Sequence, residues 1–434
     1  MPSDNGDIDD MILVSVDDHV VEPPDLFENH LPEKYRDAAP QVVTMDDGAQ
    51  VWLYEGREIP NIGLNAVAGR PPEEYGIEPA SFDQMRPGCF EVAARVDDMN
   101  ANGVLAGMCF PSFPQFAGQL FGLSKDKDVG LAMVRAYNDW HVDEWCGAAP
   151  GRFIPLGLPP IWDPQLMAEE VRRLAAKGCH AVTFSENPEK MGFPSLHNDH
   201  WDPFWTACVE TDTVVCLHIG SSSELIITSF EAPIDVLITL MPVNLVQAAA
   251  DLIWSGVLRR HPGLRVALSE GGIGWIPYFL ERIDYVYSRH HRWTGQDFGN
   301  RLPSDVFREQ VVTCFIDDRV GLENRARLNI DNTCWECDYP HSDSTWPNSP
   351  EVLAESLGGL TDTEVDAVTH RNAMRIFSFD PFAHRDRADC TVGALRAEAT
   401  AAGVDVSPRS VVSDVQAPTE PVRILSLAEK VAGR

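Results

Sequence analysis

The feature that most constrains the fold is an alternation that repeats along most of the chain. A short apolar run rich in β-formers is followed by polar turn residues and then by a stretch of helical periodicity. The apolar runs are MILVSVDDH from Met11, GVLAGMCFP from Gly103, FIPLGLPP from Phe153, HAVTFSENP from His180, TVVCLHIGS from Thr213, LRVALSEGG from Leu264, VVTCFIDD from Val311 and NTCWECDYP from Asn332. Segments such as DPQLMAEEVRRLAAKG and GWIPYFLERIDYVYSRHH lie between them with apolar residues at helical spacing. Strands that alternate with helices form a parallel sheet, because each connection must cross back over it. Eight such units predict an α/β fold, a (β/α)8 TIM barrel.

Two regions fall outside the repeat. Residues 20–95 separate the first two strands and contain AQVWLYEGREI, which alternates like a hairpin arm, and the Pro/Gly-rich AVAGRPPEEYG. This insertion leaves the C-terminal end of the first strand, so it is expected to lie over the barrel mouth. The organisation predicted is a flexible acidic N-terminus at 1–10, the barrel at 11–382 with its insertion, and a C-terminal extension at 383–434 that straps the barrel or contacts another subunit.

Composition narrows the function. A chain of 434 residues with 44% hydrophobic content can bury a large core, and a formal charge of -32 argues against nucleic-acid and anionic membrane partners. No uninterrupted apolar run approaches the roughly 20 residues that span a bilayer, and MPSDNGDIDD is acidic where a signal peptide is basic, so a cytoplasmic location is expected. The ten cysteines sit mostly as single residues inside apolar segments and read as reduced, buried thiols. Cys334 and Cys337 are close, but residues three apart on a strand face opposite ways and do not chelate one ion.

Reactive residues of such barrels come from the C-terminal ends of the strands. Those ends carry Asp17 and His19, Glu186, His218, Glu270 and Asp338. Period-two alternation puts Asp17 and His19 on one face and Asp18 on the other. With His218 and Asp338 they make a four-ligand set whose nitrogen and oxygen donors suit one divalent ion, zinc or manganese. Phe110, Phe113 and Phe116 follow the second strand and Arg70 lies in the insertion, which suits a planar or apolar substrate with a carboxylate or carbonyl.

With DDH on the first strand, HIG on the fifth, SEGGIGWIPYFLERID at the sixth, CDYPHSDSTWP at the eighth and a closing HRNAMRIFSFD, the chain resembles the amidohydrolase superfamily. The resemblance is to the branch with aminocarboxymuconate-semialdehyde and resorcylate-type decarboxylases. It implies that Asp17 and His19 stand where that family has its first-strand ligands, that His218 is the third ligand, and that Asp338 is both ligand and proton shuttle. The chain departs from it at Glu270, where relatives commonly carry a histidine before Gly-Gly. A carboxylate cannot act as a histidinium would, so Glu270 tilts the expectation toward a hydrolase. In that reading the metal activates water, Asp338 removes its proton, and His341 assists or caps the turn. Glu186 is a candidate substrate contact. The alternatives are a non-oxidative carboxy-lyase sharing the same residues and a barrel that only binds. A homo-oligomer, with a dimer favoured, is expected, with a small molecule as substrate.

Overall fold

The computed structural model describes residues 8–60, 62–412 and 418–426. Most of the predicted N-terminal segment and the end of the C-terminal extension therefore lie outside the described residues. Ile8–Asp10, which do not, form a single 3-10 turn.

The ladder strands are β1 (Asp18–Val20), β2 (Gln41–Thr44), β3 (Gln50–Tyr54), β4 (Arg57–Ile59), β5 (Cys109–Pro111), β6 (Ala181–Phe184), β7 (Val214–His218), β8 (Val266–Ser269), β9 (Val311–Phe315) and β10 (Thr333–Trp335). They form a parallel sheet in the order β10-β9-β8-β7-β6, a parallel pair β1-β5, and an antiparallel β2-β3-β4 sheet inside the insertion. The fold is α/β, with helices such as Pro164–Ala175, Asp202–Glu210 and Val243–Ser255 between the parallel strands.

Among the described residues, one predicted strand forms no ladder. The segment from Phe153 makes only bridges, Gly107 with Phe153 and Gly157 with Val182. Its sequence explains this: Pro155, Pro159 and Pro160 have no N–H to donate. Those bridges nevertheless carry backbone bonds from the β1-β5 pair toward β6, through Ile154 N to Gly107 O (3.0 Å) and Thr183 N to Gly157 O (2.9 Å). At the other side Val16 N donates to Trp335 O (3.2 Å), linking the first segment to β10.

Alternation sorts the side chains. Val214, Cys216, Ala267, Val312, Cys314 and Cys334 share one apolar cluster with Val14, Val16, Met108 and Ile154. Val215, Leu217, Val266 and Leu268 face the other way and pack with Met167, Val171 and Leu174 of the Pro164–Ala175 helix. The first segment changes phase where the chain bends at Val16, so Val14 and Val16 fill the inner cluster while Asp17 and His19 take up positions above it.

The insertion is tied to the loop after β10: Val67 N and Ala68 N both donate to Pro340 O (2.9 and 3.0 Å). In the C-terminal extension, Val392 N donates to Met11 O (2.8 Å), and Ile424 N reaches Ala232 O (3.0 Å) in the loop after β7. One stretch corrects the expectation about apolar runs. Ile234–Ser255, two helices (Ile234–Leu240 and Val243–Ser255) joined end to end, is long and apolar enough to cross a membrane by length and composition. Its second half packs Leu245, Ala248, Ala249, Leu252 and Ile253 into the core.

Close packing between the first two segments is testable. A Cβ at Gly107 would collide with Asp18 Oδ2. Asp18 is itself held by Ser15 Oγ (3.2 Å) and Tyr339 N (3.2 Å). Gly107→Ala should therefore destabilise by about 1–3 kcal/mol in urea unfolding. Gly76→Ala, with nothing within 4 Å, should change stability by less than about 0.5 kcal/mol. Equal effects at the two positions would contradict this packing.

Candidate metal centre

The first segment and the segment after β10 meet through two backbone bonds, His19 N to Tyr339 O and Asp338 N to Asp17 O, each 2.7 Å. They set Asp17, His19 and Asp338 side by side. β7 ends on His218, in register with Ser269, and Glu270 follows directly. Glu270 (φ 63°) and Asp338 (φ 58°) have left-handed backbone, a conformation that costs an L-residue about 1–2 kcal/mol. Both carboxylates face the same centre.

The distances are short. His19 Nε2 is 3.2 Å from His218 Nε2, 3.2 Å from Asp338 Oδ1 and 3.6 Å from Asp17 Oδ1. His218 Nε2 is 3.5 Å from Asp17 Oδ2 and 3.2 Å from Glu270 Oε2. His341 Nδ1 is 3.0 Å from Asp338 Oδ1, and its ring stacks on His19 at 3.7 Å. The Nδ1–H of His218 donates to Ile219 O (2.7 Å), which fixes the tautomer and leaves Nε2 with a lone pair aimed at the centre.

Burial pushes the His218 imidazole down to about 4, so the ring is neutral at physiological pH. His19 is lowered by burial and by the neighbouring His341. The Asp17 carboxyl is raised by burial and then by Glu336 and Asp338, and Glu270 is raised by burial and by Asp338, Asp343 and Glu336. Burial also pushes Asp338 up, but the His341 and His19 imidazoles outweigh it and hold this carboxyl below the usual carboxylate range. Carboxylates crowded in a dry site repel one another unless a cation lies among them.

A divalent ion fits this donor set. Asp17, His19 and His218, and likewise His19, Asp338 and His341, offer ligand atoms within 4.8 Å of one another, all from buried residues. Both oxygens of Asp17 lack a hydrogen-bond partner, as metal-facing oxygens would, and Asp338 Oδ1 meets only the His19 and His341 imidazoles.

The structure thus brings together Asp17, His19, His218, Glu270, Asp338 and His341. Phe110 borders them, with its ring 4.9 Å from His218, and Phe116 lies closer at 4.1 Å. Other expected site residues stand elsewhere. Phe113 stacks on Trp52 at 4.2 Å as part of the core under the insertion. Arg70 donates to Ile77 O (2.6 Å) and Gln84 O (3.0 Å) within the insertion. Glu186 is buried, and its Oε1 accepts from Gly220 N (3.1 Å), Ser222 Oγ (2.8 Å) and Asn244 Nδ2 (3.1 Å), so it anchors the loop that follows His218. Glu336 was missed. It is fully buried and its Oε2 accepts from Glu270 N (3.2 Å). Its place two residues before Asp338, in the polar end of the same apolar run NTCWECDYP, is the signal that could have found it.

The amidohydrolase family profile matches residues 27–379. Among characterised proteins, the chain is 22% identical over 317 residues to 2-amino-3-carboxymuconate-6-semialdehyde decarboxylase of Dictyostelium discoideum, covering 70% of this chain and 81% of that one. It is 29% identical over 169 residues to gamma-resorcylate decarboxylase of Rhodococcus jostii, covering 37% and 51%. Among solved structures, an amidohydrolase from Mycobacterium avium subsp. paratuberculosis superposes with TM-score 0.67 at 21% identity, covering 84% of this chain and 99% of that one. A 5-carboxyvanillate decarboxylase from Novosphingobium aromaticivorans, complexed with manganese and 4-hydroxy-3-methoxy-5-nitrobenzoic acid, does so with TM-score 0.58 at 17% identity, covering 85% and 96%.

These relatives overturn the expectation of hydrolysis, since the named ones are decarboxylases. The structure supplies a physical reason. The tilt toward hydrolysis rested on Glu270 standing where relatives carry a histidine, but the structure sets the His341 imidazole 3.0 Å from Asp338, so a carboxylate-imidazole pair lies beside the centre without a histidine at position 270.

Replacing His218 by Ala removes a ligand without adding charge. Metal content measured by elemental analysis should fall from about one ion per chain to near none. Full occupancy in the variant would remove His218 from the metal centre.

Proposed function

The chain belongs to the amidohydrolase family, and from that premise we propose that it is a metal-dependent, non-oxidative carboxy-lyase acting on an aromatic or unsaturated acid. The observation that carries the reading is the Asp338–His341 pair, 3.0 Å apart and stacked against His19. It is a buried carboxylate-imidazole couple that can hold one transferable proton beside the metal ligands. The relatives named as decarboxylases support it.

In this reading Asp17, His19, His218 and Asp338 hold the ion. Manganese is the assignment, because a donor set this rich in carboxylate oxygen suits it better than zinc, and a structural neighbour carries manganese. The ion, when bound, supplies Lewis acidity that fixes the substrate acid and stabilises developing negative charge. Phe110 and Phe116 border a flat substrate. The bond between the carboxylate and its carbon breaks and leaves its electron pair on that carbon. The proton of the Asp338–His341 pair is delivered there, so a carboxylate and a proton become carbon dioxide and a C–H product.

The same proposal takes the linked ladders as a closed (β/α)8 barrel, supported by the backbone bonds through Phe153–Gly157 and from Val16 to Trp335. It takes the insertion as the roof of the mouth, supported by the bonds from Val67 and Ala68 to Pro340.

The manganese-loaded protein should release carbon dioxide from at least one member of a panel of hydroxybenzoic and unsaturated dicarboxylic acids. In deuterated water the product should carry deuterium at the carbon that lost its carboxylate. His341→Ala should retain metal and lower kcat by about 10²-fold or more. Release of acid or amine from esters and amides, with no carbon dioxide from any acid, would refute the reading.

A further inference from the structure

One cavity adjoins the metal centre and is not explained by it. It holds about 140 Å³ and is lined by Glu270, Glu336 and Asp343 together with the apolar Ile219, Ile238 and Met241. Two more carboxylates on its lining have structural duties. Asp318 accepts from Ile273 N (2.7 Å), Gly274 N (2.6 Å) and Gly321 N (2.8 Å), and Asp317 accepts from the Ser356 hydroxyl. The first three have no such set of donors.

Glu336 is the telling residue. It is fully buried, its Oε2 accepts from Glu270 N, and its Oε1 accepts no hydrogen bond. The Cys314 thiol beside the carboxylate is only a weak donor. Among the described residues no Lys or Arg forms an ion pair with Glu270, Glu336 or Asp343, and the one ion-pair partner of Glu270 is His218. Asp18, by contrast, faces Arg95. An acidic wall of this kind, with a carboxylate oxygen buried and unpaired, calls for a positive group from outside the chain.

The spacing discriminates between cations. The sets of three donors tight enough for a metal ion do not include Glu270, Glu336 or Asp343. Carboxylates set farther apart suit an ammonium or amidinium, whose N–H groups reach each oxygen at hydrogen-bond length while the carbon arm packs on Ile219, Ile238 and Met241. Because Glu270 Oε2 is 3.2 Å from His218 Nε2, this cavity opens directly off the metal centre.

We propose that Glu270, Glu336 and Asp343 form a subsite for a cationic nitrogen group, so that the substrate is an acid that also carries an aliphatic ammonium or amidinium on a short arm. This rests on the carboxy-lyase reading for the acid end alone. The absence of a Lys or Arg among the described residues lining this cavity then becomes a specificity device, rejecting dianionic acids and admitting zwitterions.

Calorimetric binding to the manganese-loaded protein tests it without turnover. The probes are the ortho, meta and para (aminomethyl)benzoates, each compared with the ethylbenzoate of the same shape. At least one ammonium-bearing acid should bind about tenfold or more tightly than its neutral partner. Asp343→Asn, at the open side of the cavity, should erase most of that preference with manganese content unchanged, and Glu336→Gln should do the same. Equal binding of every pair by the unaltered protein would overturn the proposal. So would a second manganese ion per chain whose retention depends on Glu336 and Asp343. Carbon dioxide release from neutral acids with no ammonium preference would sink the subsite and leave the carboxy-lyase standing; ammonium preference with no carbon dioxide from any acid would do the reverse.

Discussion

The structure depends on one electrostatic constraint: three carboxylates, Asp17, Asp338 and Glu336, are buried together at the strand ends with Glu270 beside them, and the His19 and His218 imidazoles lie within 3.6 Å of Asp17, Asp338 and Glu270. Like charges in a dry interior repel strongly, and among the described residues no Lys or Arg forms an ion pair with them. A divalent ion held by Asp17, Asp338 and the two histidines, as proposed, would relieve the first half of this crowding. The remaining half, toward Glu336 and Asp343, lies on the side of the cavity where the proposed ammonium would sit. Both assignments therefore answer the same question of charge balance at different distances.

Backbone geometry makes the crowding possible. Asp17, His19 and Asp338 are locked together by main-chain bonds between the first segment and the segment after β10, more than 300 residues apart in sequence. Side-chain caps then hold the surrounding loops. Glu186 fastens the loop after His218, and Asp318 gathers the N–H groups of Ile273, Gly274 and Gly321. These acids act as fixed acceptors rather than reagents. Such supports let a metal centre keep its geometry on strand ends and loops.

Much of this was legible in the sequence, for a physical reason. Strand periodicity of two makes Asp17 and His19 neighbours, and the position of each acid or imidazole at the end of an apolar run marks it as facing the mouth. What escaped depended on contacts that periodicity does not encode. The third strand lost its ladder to three prolines. Phe113 and Arg70 were drawn into packing and backbone bonds of the insertion, a region whose path no pattern predicted. Ile234–Ser255 hid its apolar character because Asp235, Asn244, Gln247 and Asp251 interrupt it. Glu270 tilted the expectation toward hydrolysis because relatives carry a histidine there, while the imidazole that the structure pairs with Asp338 is His341, brought in by the loop after β10.

The central claim is that a single divalent ion organises this acidic cluster. Anomalous diffraction from crystals of the manganese-loaded protein, recorded at the manganese edge, tests it most directly. The account predicts one peak per chain, bounded by Asp17, His19, His218 and Asp338. Absence of a peak among these residues, or a peak elsewhere in the chain, would contradict it.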